Sequence, residues 1–362
     1  MTFTPSRLAL ARRRRGLTKK ALATAADVSI RTLTGYESGE LEPTDATLVC
    51  LAGALRFPLD FLARPDADEP PLGASFRAFT KMTASQRDQA LAAGALALDL
   101  ADWIEERFEL PAVSVPRYRG VDPETAADAV RNEWGIGERP IANVIHLLES
   151  HGVRVFSLAE ESRELDAFSF WRDHIPYVFL NTMKSPEHSR LDAAHELGHL
   201  VLHGFDDVPR GRAEEREANH FGAAFLMPAR SVVAEAPRGG RIGDLIAAKR
   251  RWRVSLAALA HRMRQLGLLT EWQYRSVFIE ISTRGYRTNE PNGITSESSQ
   301  VLAKVFKALR DDGYTRAHLA RELALPVPEL NKLIFGLVLT GLDGKGGGGA
   351  RGRQQPALEL LA

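Results

Sequence analysis

Cysteine is almost absent: Cys50 stands alone in 362 residues, which excludes an internal disulfide and any thiolate-rich metal site. No run of about 18 apolar residues occurs, so no membrane-spanning helix is expected. The arginines at 12–15 are not followed by an apolar stretch, and the N-terminus does not read as a secretory signal. Net charge is also close to nil, at +1, and says little about partners by itself. No internal repeat of solenoid type is visible. These absences together point to a cytoplasmic protein.

What is present fits a globular chain with a real core: 44% hydrophobic and 26% charged residues are ordinary values. The length suggests two or three domains. Charge is unevenly spread. The first 20 residues hold seven basic side chains and no acidic one, and residues 1–64 hold ten basic against six acidic groups. A basic end on a near-neutral chain suggests a polyanion partner there and another task elsewhere.

Residues 4–63 read as short helices, with Thr18 as a cap, a turn at Asp27-Val28-Ser29, and breaks at Gly39 and Pro43. The stretch from Arg64 to Pro71, rich in proline and acid, marks a boundary. An alanine- and leucine-rich helix is expected over roughly 83–108, as a connecting or dimerising element. Two amphipathic helices follow at 122–134 and 140–150. The convincing strands are 153–158, 167–171 and 177–180, with Asp173-His174 turning the last two into a hairpin. Helices return over about 189–269 and again at 299–310 and 317–337, and Gly346–Gly349 opens a flexible basic tail. The domains expected are 1–64, a linker and connecting helix over 65–118, 119–290, and a C-terminal helical region over 291–362. The fold class is α+β and predominantly helical: an all-α N-terminal domain, then a helical domain with a small three-stranded sheet.

The chemistry concentrates at Ala194–His203, AHELGHLVLH. His195 and His199, four apart on a helix, share one face and can converge on one tetrahedral metal. Glu196 sits beside the first histidine, placed to take a proton from a metal-bound water. A third ligand is needed. Fifteen residues after His199 begins the acidic segment 214–221, in which Glu215 and Asn219 share a face. Such a pair could supply a carboxylate ligand and a hydrogen bond to a ligating histidine. His203 and His220 compete for the same position, although His203 would converge only if the helix bends. Tyr177, Arg190, His203 and His220 are candidates for steadying an oxyanion. Residues 176–181 form a candidate edge strand for a substrate peptide.

With these motifs in view, residues 122–264 resemble the ImmA/IrrE family of zinc metallopeptidases. The resemblance rests on AHELGHLVLH (194–203), EREANHFGAAFLMP (215–228) and the strand PYVFLN (176–181). It implies zinc held by His195, His199 and Glu215, with Glu217 in reserve as the third ligand, and Glu196 as general base. It further implies a protein substrate of the helix-turn-helix repressor class.

The segment RLALARRRRGLTKKALATAADVSIRTLTGYESGELEPTDATLVCLAGAL resembles the Cro/repressor-type (XRE) helix-turn-helix family. A small core of Leu22, Ala23, Val28, Leu33 and Tyr36 would hold a recognition helix toward the major groove of double-stranded DNA. Ser29, Arg31, Thr32 and Thr34 would face the groove, with Arg31 the best base reader. Lys19, Lys20 and the arginine cluster would meet phosphates. A homodimer is compatible with a module that reads two half-sites. Residues 312–337 have the outline of a second helix-turn-helix, for which a packing role is expected. The basic cluster Lys249–Arg253 reads as a solvated face, and Trp252 and Trp272 as core or interface. The leading expectation is a DNA-binding regulator with a zinc endopeptidase domain. The alternatives are a transcription factor whose peptidase fold senses a ligand or metal without cutting, and an antitoxin-like repressor.

Overall fold

A computed structural model of the chain describes residues 2–70, 82–158, 167–204, 211–237 and 239–338. The basic tail expected from Gly346 lies outside the described residues.

Four helices and a closing turn form the N-terminal module: α1 Pro5–Arg14, α2 Lys19–Ala25, α3 Ile30–Ser38, α4 Asp45–Leu55 and a 3-10 turn Leu59–Ala63. Each of α2, α3 and α4 begins where a hydroxyl can satisfy an orphan amide. Thr18 accepts from the amide of Ala21, Ser29 from Thr32 and Thr44 from Thr47, and such caps contribute about 1 kcal/mol apiece. Leu22, Ala23, Leu33 and Tyr36 are buried, as their spacing suggests, together with Leu8, Leu48, Leu51 and Phe61. Val28 packs against them at partial burial.

The long helix α5, Ala84–Glu105, is not an exposed connector. Every residue from Ala90 to Leu98 is buried, the mark of a helix that runs through an interior. That stretch leaves no open face for a second copy to use. Helix α1 packs along α5, and Arg7 of α1 reaches Asp99 at 2.5 Å. One turn further on, Asp102 pairs with Arg172 at 2.8 Å and Glu105 with Arg154 at 2.7 Å.

Those two arginines belong to the sheet: β1 Arg154–Ser157, β2 Ala167–Arg172 and β3 Ile175–Leu180. Its order is β1-β3-β2, with β1 parallel and β2 antiparallel to β3. The strand expected at an edge, residues 176–181, is therefore the central one, because β1 and β2 each take one of its sides. Asp173 and His174 both have positive φ, 49° and 67°, as a two-residue hairpin turn of the I′ kind requires. The alternation then sorts the faces. Phe168, Phe170, Tyr177 and Phe179 stack on one face, with the Phe168 and Phe179 rings 4.6 Å apart, and Phe168 lies against Gly94 of α5. Ser169 and Trp171 point the other way, to the backbone of the next helix: Ser169 Oγ donates to the Glu196 carbonyl and Trp171 Nε1 to that of Leu200, each at 3.3 Å.

Helices α6 Pro123–Glu133 and α7 Val144–Ser150 precede the sheet. The helices α8 Pro186–Leu202, α9 Arg212–Leu226, α10 Ala229–Glu235, α11 Ile242–Trp252, α12 Leu256–Gln265 and α13 Glu271–Thr283 follow it. Within the cluster read as a solvated basic face, Lys249 is buried and bonds Glu290 at 3.0 Å. Trp252 is core. Trp272 is 77% exposed.

The C-terminal unit is α14 Gln300–Asp311, α15 Arg316–Glu322 and α16 Val327–Ile334. It has helix-turn-helix form, but its last helix is turned inward. Glu329 of α16 pairs with both Arg14, at 2.7 Å, and Arg15 of α1. Its neighbour Glu322 accepts from Trp103 Nε1 of α5 at 2.8 Å. Burial alone would raise the Glu329 carboxyl, but the two arginines outweigh it and hold the group below the usual range. We predict that Glu329→Ala, which strands the buried Arg14 guanidinium, destabilises the chain by about 3–5 kcal/mol in urea unfolding. Lys332→Ala at the exposed flank of α16 should change it by less than about 0.5 kcal/mol.

Candidate metal centre and nucleic-acid face

Helix α8 starts at a Ser185 cap with Pro186 at its first position, and it carries His195 and His199 on one face. Their Nε2 atoms lie 3.1 Å apart and the rings stand nearly perpendicular, at 87°. Helix α9 crosses α8 at very short range. A Cβ at Gly222 would sit 3.0 Å from the His195 backbone nitrogen, and one at Gly198 would sit 3.1 Å from the Ala218 carbonyl oxygen. A glycine on each helix, one turn apart at the crossing, lets the backbones approach, and Glu215, in the first turn of α9, thereby reaches over the histidines. Its Oε2 is 3.5 Å from His195 Nε2 and its Oε1 3.4 Å from His199 Nε2.

These separations can be tested against an ion. Ligands about 2.0–2.1 Å from a tetrahedral zinc stand about 3.3–3.4 Å from one another. The two Nε2 atoms stand 3.1 Å apart, and each lies 3.4–3.5 Å from a different oxygen of the Glu215 carboxylate, separations of that order, and two imidazoles with one carboxylate are a donor set zinc accepts. His195, His199 and Glu215 are the group that meets this condition among the described residues. Burial would raise the Glu215 carboxyl, but hydrogen bonds and charge from the two histidines pull it well below the ordinary carboxylate range. His199 is fully buried and His195 is 15% exposed, so the site opens on the His195 side. Glu196 is buried next to it, and its charge acts on the His195 ring.

The other sequence candidates lie elsewhere. Tyr177 is on the aromatic face of the sheet, away from α8, and burial together with the Glu105 charge pushes its hydroxyl up. Arg190 is a buried clamp that pairs with Glu297 and donates to the Ile141 carbonyl. His220 bonds Glu124 at 3.0 Å. Asn219 donates to the backbone carbonyl of Glu215 at 2.7 Å instead of to a histidine. Glu217, the reserve ligand, bonds His203 Nε2 at 3.1 Å, and His203 Nδ1 lies 3.0 Å from His199 Nδ1. Nothing in the helical pattern singles out Gly198 and Gly222, which follow the apolar Leu197 and Phe221 directly. Their role shows only when the two helices meet.

On the N-terminal module, Ser29, Arg31 and Thr34 are exposed and Thr32 is partly so. Ser29 and Thr32 also serve the α3 cap, their hydroxyls 2.8 Å apart. Lys20 is exposed, and Lys19 pairs with Glu37 at 3.3 Å. The arginines of the cluster expected to meet phosphates each hold a carboxylate of the protein itself. Arg12 pairs with Glu37 at 2.5 Å, Arg13 with Glu69, and Arg14 and Arg15 with Glu329. Sequence charge counts cannot see such partners, which lie up to 315 residues away.

Residues 148–264 match the model of the IrrE N-terminal-like domain, a peptidase family, and residues 8–62 match a helix-turn-helix model. No curated protein matches the chain. The chain thus joins a DNA-binding helix-turn-helix of XRE type to an IrrE/ImmA-like, metallopeptidase-like domain. The first match covers β1 to α12, and so spans the sheet, α8 and α9. No helix among the described residues is long and apolar enough to cross a membrane.

His220 belongs to a second charged cluster that braces α6, α9 and α12. Arg262, fully buried, grips Glu124 with both terminal nitrogens. Burial would raise Glu124, but His220 and Arg262 outweigh it and bring the carboxyl from 4.5 down to about 2. A depressed carboxyl stabilises the fold above its unfolded value and loses that contribution as pH falls through its folded value. On the order of 3 kcal/mol should therefore disappear between pH 4.5 and 2. Unfolding free energies followed over that window should fall more steeply for the parent than for Glu124→Gln, by the equivalent of about one proton.

Proposed function

We propose that the chain is a DNA-binding regulator whose second domain is a zinc-dependent endopeptidase. The observation that carries the reading is the convergence of His195, His199 and Glu215, whose ligand atoms all lie within 4.8 Å of one another. When bound there, zinc supplies Lewis acidity toward a carbonyl oxygen and toward water. Glu196 takes a proton from the attacking water on a carboxylate oxygen and returns it to the departing amine nitrogen. The buried surroundings of Glu196 and Glu215 exclude bulk water and strengthen these charge effects. A pure sensor needs the ligands but has no use for the adjoining carboxylate, and this favours hydrolysis over the sensing alternative.

The substrate we propose is a repressor-type protein, by the resemblance stated above, and the setting is the cytoplasm. The exposed start of α3 reads double-stranded DNA, with Ser29, Arg31, Thr32 and Thr34 toward the groove and Lys19 and Lys20 toward phosphates. Two copies on two half-sites is the arrangement we propose for the bound form.

Elemental analysis of the purified protein should give about one zinc per chain. Glu215→Ala should lose it and Glu196→Gln should keep it, while the latter no longer cuts and holds its substrate. A parent that is metal-free and refuses added zinc sinks the peptidase reading. For the DNA face, Arg31→Ala should cost about 1–3 kcal/mol on the cognate site and relax base preference. Lys20→Ala should weaken all sequences alike and flatten the salt dependence, both read by fluorescence anisotropy at several salt concentrations.

A further inference from the structure

His203 lies one turn beyond the second ligand, at the C-terminal cap of α8, and nothing in the hydrolytic scheme above uses it. Its side chain is only 13% exposed. Both of its ring nitrogens are engaged: Nδ1 stands 3.0 Å from His199 Nδ1, and Nε2 stands 3.1 Å from a Glu217 carboxylate oxygen. The protons in this chain can be placed by valence alone. His199 turns Nε2 toward His195 and Glu215, so a ligating lone pair must sit there and the ring proton must sit on Nδ1. That N–H needs an acceptor, and His203 Nδ1 is in place to accept. Neutral His203 then carries its own proton on Nε2, which faces a carboxylate. Every donor meets an acceptor, and the assignment runs in one direction from His199 to Glu217.

From this geometry we infer that His203 is a positioning residue for the metal centre: it fixes the tautomer and ring orientation of His199, and Glu217 fixes His203 in turn. The inference rests on the zinc reading above. The arrangement also ties the two crossing helices together a second time, because Glu217 lies on α9, two residues beyond the ligand Glu215. The contrast with the first histidine is direct. His195 Nδ1 is buried and has no hydrogen-bond partner among the described residues, so its ring is held by packing and by the ion. Orientation of the pair therefore falls mainly on the His199 side. Glu217 is half exposed, where water competes for its carboxylate, so it contributes less than His203.

The test measures zinc affinity of the full chain at fixed pH, by competition with a chromophoric chelator. The same proteins loaded with cobalt(II) are read by visible absorption, which reports ligand geometry. His203→Leu fills the space without an acceptor, and should weaken zinc binding by about 10–100-fold and shift the cobalt bands. His203→Asn sets an amide oxygen where Nδ1 stood, and should restore most of the affinity and the parent cobalt spectrum. Glu217→Gln should weaken binding less than His203→Leu does. Unchanged affinity and spectrum in His203→Leu overturn the inference while leaving the zinc reading intact. Equal losses in His203→Leu and His203→Asn overturn it also, since they would mark a packing role alone. A parent that binds no zinc overturns this inference and the zinc reading together.

Discussion

The metal centre depends on how closely two helices can approach. His195 and His199 are placed by one helix and would be neighbours in any helix of this sequence, but a histidine pair alone leaves zinc two ligands and no charge balance. Glu215 comes within reach of the histidine pair because α9 crosses α8 with Gly222 against the His195 backbone and Gly198 against Ala218. Side chains at these two positions would hold the helices apart. A separation of even 1 Å added to the 3.4 and 3.5 Å edges takes the carboxylate out of a tetrahedral shell whose bonds are about 2.0–2.2 Å long. The site is thus a consequence of packing, and its chemistry is only as good as that crossing.

The crossing in turn needs a firm floor, which the sheet supplies. Its polar-facing side meets α8 through Ser169 and Trp171, while its aromatic side rests on α5. Helix α5 uses three acidic residues at successive turns to engage different parts of the chain: Asp99 takes Arg7 of the DNA-binding module, Asp102 takes Arg172 of β2, and Glu105 takes Arg154 of β1. The same helix carries an alanine-rich middle that lets neighbours pack tightly around it. What the sequence presents as a spacer between domains is the element on which both are built.

Local features were the legible ones. The histidine pair with Glu196, the cap at Thr18, and the hairpin turn at Asp173-His174 follow from spacing and residue type, because their causes lie within a few residues. Glu215 was reachable since it lies in a short acidic segment of helical character. The misreadings share another cause. That Tyr177 faces α5 and not α8, that β3 is central, and that Arg12 to Arg15 are neutralised at Glu37, Glu69 and Glu329 all follow from pairings across long stretches of chain. Periodicity fixes which residues share a face, but not which neighbour that face will meet. A basic run looks the same in sequence whether it waits for phosphate or already holds carboxylates.

The fate of those arginines bears on how the two activities are joined. If the cluster at 12–15 were free, the DNA-binding module could swing on the acidic, proline-rich stretch after Arg64, and its charge would serve DNA alone. Instead Arg14 and Arg15 close on Glu329 of the C-terminal unit, which itself sits on β1 and touches α5 through Glu322. Pulling the module away would break these ion pairs and open the packing of α1 against α5. The recognition helix is meanwhile left facing outward, with Ser29, Arg31 and Thr34 exposed. The basic residues differ by position: Arg7 and Arg14 of α1, with Arg15 at its end, pair with carboxylates outside the module, while Lys20 and Arg31 are exposed. Through these pairs the N-terminal module is fastened to the C-terminal unit and to α5, and through them to the sheet beneath α8.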